Sequence, residues 1–271
     1  MDEFLSNFLI IEFCKFFALY GCGYLLGLWV MKKNVKVNYT RKILHFIIFF
    51  LPIFMTTQLT FQHNMATLLI SGFIFVGTVL LMSEPIRSRS RFFATAFAAI
   101  DRPEDRPYTL TWLSTQTLAT YLVLIPVIIA LSYYDRVNLI FITILIAGVG
   151  DGLAEPVGVR FGKHKYATRA LFSQNRYTRS IEGSLCVFVV GALAIILMSG
   201  KMSSLELMLA LALIPITTTL AEAWSPHTWD SPFISLAGGV STLVVVEASA
   251  FINDRPSLTQ PLISMLAGSS F

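Results

Sequence analysis

A run of acidic, glycine and basic residues in the middle of the chain has the residue types of a phosphate and metal site. Asp151 and Glu155 are four residues apart, so both carboxylates share a face if one helix holds them. Pro156 disfavours helical geometry at Glu155, which predicts a helix break there. Lys163 and Lys165 supply point charges suited to phosphate. Nearby glycines leave backbone N–H groups open to a ligand: Gly150, Gly152, Gly158 and Gly162.

A carboxylate that holds Mg²⁺, beside open backbone and lysines, is what a nucleoside triphosphate requires. The same residues also fit a structural interpretation. Gly158 and Gly162 have the GxxxG spacing that lets two membrane helices approach closely. Lys163 and Lys165 would then only reflect the excess of basic residues in cytoplasmic loops. Spacing alone leaves both interpretations open.

A second candidate segment runs from Arg179 to Ser184. Ser180 is a suitable N-cap, and Glu182 lies in the first turn, where the helix dipole favours a carboxylate. Capping alone accounts for these two residues. In the functional interpretation the helix N-terminus faces an anion, Arg179 clamps it, and Glu182 binds a metal or the substrate hydroxyl. Gly183 then adds an open backbone position, and both interpretations stay open.

Three weaker candidates complete the set. Arg41 and His45 share a helical face next to Lys42, although a lone histidine at such a place is more often a packing residue. The segment 102–107 holds mixed charges between prolines, which favours a solvated turn. Glu222 ends one apolar stretch and Asp230 precedes the next.

The composition shows which elements must position these residues. The chain has 271 residues, of which 55% are apolar and 13% charged, whereas soluble domains carry about 25% charged residues. This indicates an all-α, polytopic membrane protein, a single integral membrane domain over 1–271. About eight stretches are long enough to cross a bilayer as helices: 8–31, 43–59, 65–83, 110–132, 137–153, 183–199, 204–221 and 232–252.

The basic residues predict an orientation for these spans. Sixteen of the twenty Lys and Arg residues fall in three loops, between spans 1 and 2, 3 and 4, and 5 and 6. The positive-inside rule places these loops in the cytoplasm and both termini outside. Within the first span, Glu12 and Lys15 are spaced to pair, unless residues 1–15 lie along the interface. Ser90–Ile100 is predicted as a surface amphipathic helix, with a plain linker as the alternative.

All the candidate residues then lie at the cytoplasmic side, in segments around 32–45, 101–107, 150–184 and 222–231. Charge at a membrane-spanning segment is costly, so its concentration at one face favours a functional site. A transporter would more often place its polar residues near the midplane and show inverted repeats. The sequence shows neither feature, and transport is the weaker alternative.

These motifs together resemble the polyprenol kinase family, which includes dolichol, phytol and farnesol kinases and CTP-dependent diacylglycerol kinases. The resemblance covers roughly 41–240 and is most similar to the short, phytol-kinase-type members. It rests on Arg41-Lys42-x-x-His45, on Gly150-Asp151-Gly152 through Gly158, Gly162, Lys163 and Lys165, on Arg179-Ser180-Ile181-Glu182-Gly183-Ser184, and on Glu222 with Asp230. The family usually has Lys at the position of Arg179, and Asn where this chain has Ser231.

The resemblance implies a membrane-bound kinase that moves the γ-phosphate of CTP to an isoprenoid alcohol, with Mg²⁺ as cofactor and no nucleic acid as partner. It leaves a homo-oligomer open. The implied catalytic residues are Asp151, Glu182 and Arg179. The implied nucleotide-binding residues are Arg41, Lys42, His45, Gly150, Gly158, Gly162, Lys163, Lys165, Ser180 and Gly183. The implied metal ligands are Asp151, Glu155, Glu182, Glu222 and Asp230.

Two related activities remain as alternatives, a CTP-dependent diacylglycerol kinase and a phosphatidate cytidylyltransferase. The expected location is the cell inner membrane or its equivalent, with the active site facing the cytoplasm. Membrane lipids surround the spans, and the alcohol hydroxyl is expected at the cytoplasmic interface.

Overall fold

A computed structural model describes residues 3–60, 65–171 and 176–253, and it is predominantly helical. The predicted all-α class and the multi-pass membrane character are confirmed at this level. In the described ranges, six helical segments are long and apolar enough to cross a membrane: Glu3–Lys33, Val37–Gln58, Thr109–Tyr133, Val137–Phe161, Ser204–Trp224 and Asp230–Ile252. Two shorter apolar helices, Leu69–Leu81 and Ile181–Leu197, fall in the other predicted spans. The number of eight spans and their orientation stay predictions.

The chain divides into two compact units, Met1–Thr115 and Gln116–Phe271. The helices that begin in the first unit are α1 (Glu3–Phe17), α2 (Gly23–Lys33), α3 (Val37–Gln58), α4 (Met65–Leu81), α5 (Glu84–Arg87), α6 (Arg91–Ala98) and α7 (Thr109–Tyr133). A π-helical turn, Ala18–Cys22, joins α1 to α2, so the first span is one continuous helix. The predicted pairing of Glu12 with Lys15 is confirmed, and the Ser71 hydroxyl donates to Glu12 at 3.0 Å.

The amphipathic segment after α4 forms a helix rather than a linker. Helix α6 is buried at Thr95, Ala96 and Phe97 and packs on α2. Their backbones approach most closely at Gly27, where a Cβ atom would lie 1.8 Å from the carbonyl oxygen of Thr95. Only glycine can occupy this contact, because any other side chain would separate the two helices.

The second unit contains the remaining elements. These are α8 (Ile140–Leu145), α9 (Asp151–Phe161), β1 (Lys165–Arg169), β2 (Arg176–Ser180), α10 (Ile181–Leu197), α11 (Ser204–Trp224) and α12 (Asp230–Ile252). A π-helical turn, Ile146–Gly150, links α8 to α9 and ends immediately before Asp151. The helix break predicted at Glu155 is wrong, because α9 continues through Pro156 to Phe161. One missing N–H donor is tolerated in a membrane helix whose neighbours pack against it, as α10 does here.

The core of the second unit lies where α8, the π turn, α10, α11 and α12 meet. Ile142, Ile146, Ile195, Ile214 and Ile234 are fully buried there. The outward faces of the same helices carry exposed large apolar side chains such as Leu197 and Leu193. Apolar residues on both faces are expected of helices whose outer surface is covered by lipid.

Candidate functional site

A two-stranded antiparallel hairpin connects α9 to α10, where the sequence predicts only a loop. Strand β1 pairs with β2 in a register that places Tyr166 opposite Arg179 and Thr168 opposite Tyr177. Burial alternates along both strands, so these four side chains share the inner, covered face. The hairpin therefore brings Arg179 and Tyr166 to the rest of the second unit as neighbours.

The loop between α11 and α12 holds the inner face of the hairpin. The rings of Tyr177 and His227 stack at 3.6 Å between centroids, with an angle of 8°. The backbone N–H of His227 donates to the carbonyl of Arg169 at 2.7 Å. The hairpin is thus fixed to the end of α11 and the start of α12 by ring stacking and a backbone hydrogen bond.

Arg179 is the central side chain of this region. Its guanidinium lies 3.3 Å from Glu222 Oε1 and 3.3 Å from Asp230 Oδ1, and only 11% of the side chain is exposed. It also donates to the backbone carbonyl of Glu222 and, at 2.9 Å, to the hydroxyl of Ser225. The sequence predicts only that Arg179, Glu222 and Asp230 lie on the same membrane side; the structure brings the three side chains into contact.

The electrostatics show that a third acid acts on the same guanidinium. Burial alone would lower the pKa of Arg179, but the carboxylates of Asp230 and Glu222 outweigh it, and Asp151 adds to them. The pKa of Arg179 is consequently raised, and the side chain stays charged. Asp151 is itself buried, with 4% of its surface exposed. Two acids therefore contact one arginine, and the charge of a third, Asp151, also acts on it.

Glu222 has capacity to bind one more group. It is only 4% exposed, and its Oε2 atom has no hydrogen-bond partner among the described residues. A buried carboxylate oxygen without a full hydrogen bond is costly because it has lost its water, although the Ser184 hydroxyl stabilises the Glu222 carboxylate in part. The atom is a candidate acceptor for a cation or for a donor from a substrate.

Tyr166 and Ser184 form a second polar contact beside this carboxylate. Their hydroxyl groups are 2.6 Å apart, and the Ser184 hydroxyl also lies 3.3 Å from the carbonyl of Ser180. Burial disfavours the phenolate and raises the pKa of Tyr166, and the charge of Glu222 raises it further. Tyr166 is therefore neutral at physiological pH and can act as a hydrogen-bond donor.

Ser180 is the N-cap of α10, as predicted: its hydroxyl accepts from the backbone N–H of Gly183 at 3.1 Å. The glycines predicted to bind phosphate pack against this cap. A Cβ atom at Gly158 would lie 2.9 Å from Ser180 Oγ, and one at Gly162 would lie 2.7 Å from Ser180 Cβ. At Gly183 it would lie 2.6 Å from the carbonyl of Ala154. The structure thus gives these glycines the close-packing role that the GxxxG spacing offered as the alternative.

Gly150 also lies at this helix contact, since a Cβ atom there would lie 3.2 Å from Cα of Val187. Lys163 and Lys165 are exposed on the hairpin side of α9. Glu155 is partly buried on α9, four residues after Asp151. The geometry of these residues does not show whether they bind phosphate, so their nucleotide and metal roles stay predictions.

Glu182 has a protein partner instead of an open carboxylate. Its Oε1 atom lies 2.8 Å from Nδ1 of His164 and accepts from the backbone N–H of His164 at 3.2 Å. This contact joins the first turn of α10 to the residue that precedes β1. A second metal or a substrate hydroxyl at Glu182 would have to share the carboxylate with His164.

The predicted cluster around Arg41 belongs to the first unit. Arg102 Nε donates to Asp105 Oδ2 at 2.7 Å, and Arg41 Nη1 lies 3.7 Å from the same oxygen. Arg102 and Asp105 are 6% and 2% exposed, so the solvated turn predicted for 102–107 is wrong at these residues. Lys42 is also buried, and the His45 ring stacks on Phe49 at 5.8 Å.

The burial of Arg102 and Asp105 follows from their mutual neutralisation. A charged pair enters a protein interior when each partner satisfies the other, and here Arg41 adds a second cation to the same carboxylate. The local sequence around the two prolines could not predict this burial, because the additional partner Arg41 lies more than sixty residues away in the chain.

The predicted metal ligands can be compared with the requirements of Mg²⁺. Within the described ranges, no three His, Cys, Asp or Glu side chains form a ready-made metal group. Mg²⁺, however, is usually held by one or two carboxylates together with water and substrate phosphates. The Oε2 atom of Glu222 and the nearby charge of Asp151 are compatible with such a site, and the metal roles of these two residues stay predictions.

Sequence reasoning assigned no role to Tyr166 or Ser184, and it missed three other residues of this region: Ser225, Tyr177 and His227. Tyr166, Thr168 and Tyr177 alternate with charged residues, which is a strand signal that could have revealed the hairpin. Nothing local in the sequence connects Ser225 or His227 to the hairpin. Comparisons of the chain with known protein families, with curated proteins and with solved structures find no match.

Proposed function

We propose that this protein is an integral-membrane lipid kinase that transfers the γ-phosphate of CTP to the hydroxyl of an isoprenoid alcohol. Its eight predicted spans would leave both termini outside and the site facing the cytoplasm. The observation that carries the proposal is the buried cluster in which Glu222 and Asp230 contact Arg179 and the charge of buried Asp151 acts on the same guanidinium. These are residues on which the resemblance to polyprenol kinases depends, and they come from α9, β2, the end of α11 and the start of α12.

The cluster supports a division of roles. Asp151 and Glu222 would hold Mg²⁺, which supplies charge neutralisation to the transferring phosphoryl group. Arg179 is proposed as a positioning residue, because its guanidinium is already engaged by Glu222, Asp230 and Ser225. It fixes the two carboxylates in place and offsets part of their mutual repulsion.

The exposed lysines are the proposed nucleotide contacts. Lys163 and Lys165 lie at the start of the hairpin and are open to solvent, where they can attract a triphosphate. Such a reaction passes through a loose transition state, so most of the catalytic effect comes from positioning and charge neutralisation. Roles for Arg41, Lys42 and His45 in the first unit stay predictions from the resemblance.

The test is a substrate matrix with the purified full chain. CTP, ATP, GTP and UTP are each combined with phytol, farnesol, a long polyprenol and diacylglycerol, and products are identified by mass spectrometry. Phosphorylation of an isoprenoid alcohol with release of CDP is expected. Pyrophosphate release would instead indicate a cytidylyltransferase, and no transfer to any acceptor would refute the kinase proposal.

A variant pair tests the site itself. Asp151→Asn removes a proposed metal ligand without changing side-chain size, and a loss of at least about 100-fold in turnover is expected, comparable to the loss of one key electrostatic contact. The matched control is Glu84→Gln, since the Glu84 side chain is 77% exposed in the first unit. Near-normal turnover of a folded Asp151→Asn protein would refute the assignment.

A further inference from the structure

The outer face of the hairpin carries a group of positive charges, of which the proposed reaction uses only Lys165. The alternation that turns Tyr166 and Arg179 inward turns five other residues outward, and all five are exposed: Lys165, Ala167, Arg169, Arg176 and Thr178. We call these five residues the outer hairpin face. Three of them are cations, and the described part of each strand holds no acid.

Two of these cations stand directly opposite each other. In the strand register Arg169 pairs with Arg176, and both side chains are exposed on the same face. Like charges at directly opposed positions destabilise an antiparallel pair. Their juxtaposition is explained if an anion lies between the two guanidinium groups, since arginine binds phosphate groups through its planar fork of donors.

Exposed apolar residues adjoin this charge and indicate what the anion belongs to. Leu171 follows β1 and is 50% exposed, Ile181 follows β2 and is 60% exposed, and Phe161 ends α9 at 60% exposed. Two of them belong to apolar helices that are proposed to enter the membrane, so the hairpin lies at the level of the lipid headgroups. Cations flanked by exposed apolar side chains are the pattern of a surface that contacts a bilayer. A free inorganic phosphate would make no contact with these apolar side chains.

We propose that the outer hairpin face binds the phosphate headgroups of anionic phospholipids in the membrane that the chain spans. Arg169 and Arg176 contact the phosphate, Lys165 adds attraction, and Leu171 enters the interfacial region. The two arginines have no part in the proposed kinase activity, and only Lys165 is shared with the proposed nucleotide contacts. This binding would hold the outer side of the hairpin while Arg179 and Tyr177 hold its inner side against the α11–α12 loop.

The experiment measures lipid preference beside the hairpin in reconstituted full-length protein. A donor fluorophore is attached at Ala167→Cys in a background whose three native cysteines are serine. Energy transfer is compared for phosphatidylglycerol and phosphatidylcholine that carry the same headgroup-level acceptor. We expect stronger energy transfer to phosphatidylglycerol than to phosphatidylcholine, which shows that phosphatidylglycerol is enriched beside the hairpin. This enrichment should disappear near 1 M salt, where the Debye length falls to about 3 Å.

The deciding variant is Arg169→Gln with Arg176→Gln. Each basic residue near an anionic surface contributes about fivefold in affinity, so loss of both should lower the preference for phosphatidylglycerol by up to about 25-fold, and by at least about fivefold. The matched control, Arg89→Gln with Arg91→Gln, removes the same charge from exposed positions in the first unit and should retain the preference. Unchanged size-exclusion profiles and thermal unfolding show that both variants fold.

Three outcomes would overturn the proposal. The hairpin variant could keep the wild-type lipid preference, or the control variant could lose as much as the hairpin variant. Alternatively, millimolar inorganic tripolyphosphate could abolish the lipid preference of the wild type. In vesicles without phosphatidylglycerol, the protein could also bind tripolyphosphate in a way that requires the two arginines. That last result would assign the outer hairpin face to a soluble phosphate ligand.

Discussion

Replacement of Arg179 by methionine tests whether the buried acids depend on this one cation. Methionine keeps much of the length and apolar volume of the side chain but removes the charge. Glu222 and Asp230 have side chains that are only 5% and 17% exposed, so water cannot replace the lost partner. Breaking a buried ion pair in this way costs about 3–5 kcal/mol. Because both acids share one arginine, the two losses are not additive, and we expect about 4 kcal/mol for the single variant.

The assay is thermal unfolding of the purified protein in detergent, followed by intrinsic fluorescence. For a protein of this size each kcal/mol corresponds to about 2–4 °C, so Arg179→Met should lower the midpoint by about 8–16 °C. Glu84→Gln is the surface control, because exposed ion pairs contribute about 0–1 kcal/mol. Its midpoint should stay within about 4 °C of the wild type.

A compensated variant separates charge from packing. Arg179→Met combined with Glu222→Gln and Asp230→Asn removes the acids that had lost their partner, so most of the stability should return. The recovered protein should still lack lipid kinase activity under the proposed function, because Glu222 is a proposed metal ligand. If the compensated variant is no more stable than Arg179→Met alone, the reasoning from uncompensated buried charge is refuted.

Two further predictions concern close packing and capping. Gly27→Ala would place a methyl group 1.8 Å from the carbonyl oxygen of Thr95, and the forced separation of α2 and α6 should cost about 1–3 kcal/mol of stability. The control is Gly77→Ala, where a Cβ atom meets no neighbouring group within 4 Å, and this variant should unfold at the wild-type temperature. Ser180→Ala removes the N-cap hydrogen bond to Gly183 and should cost about 1 kcal/mol in the same thermal assay; a loss below about 0.3 kcal/mol would contradict the capping role.

The helices could be predicted from the sequence because apolar length is a local property that the membrane enforces. Six of the predicted spans correspond to long apolar helices, and the other two to shorter ones in the described ranges. The wrong predictions come from positions where tertiary packing overrides the local conformational preference of a residue. Pro156 was expected to end a helix, but α9 continues, because its contact with α10 stabilises the turns on both sides.

The candidate site was predicted in its residues but not in its contacts. Arg179, Glu222 and Asp230 were expected in one region, yet nothing in the sequence shows that one guanidinium bonds to both acids. Gly158 and Gly162 could not be assigned from spacing, since a phosphate loop and a close helix contact both need glycine. The structure shows close packing of each glycine on Ser180, and a role in nucleotide binding stays a prediction. The hairpin itself was missed because its strands are short and polar.

The π turn at Ile146–Gly150 has a consequence for changes in chain length. A π turn closes its backbone hydrogen bonds one residue later than an α turn, so this part of the helix contains one residue more than a regular helix needs. Deletion of a single residue within 146–150 should convert the turn to α geometry and leave Asp151 and the rest of α9 on their present faces. The same deletion within α10 would rotate all following residues by about 100°. The stretch directly before Asp151 is therefore the place where this span can lose a residue without losing its alignment.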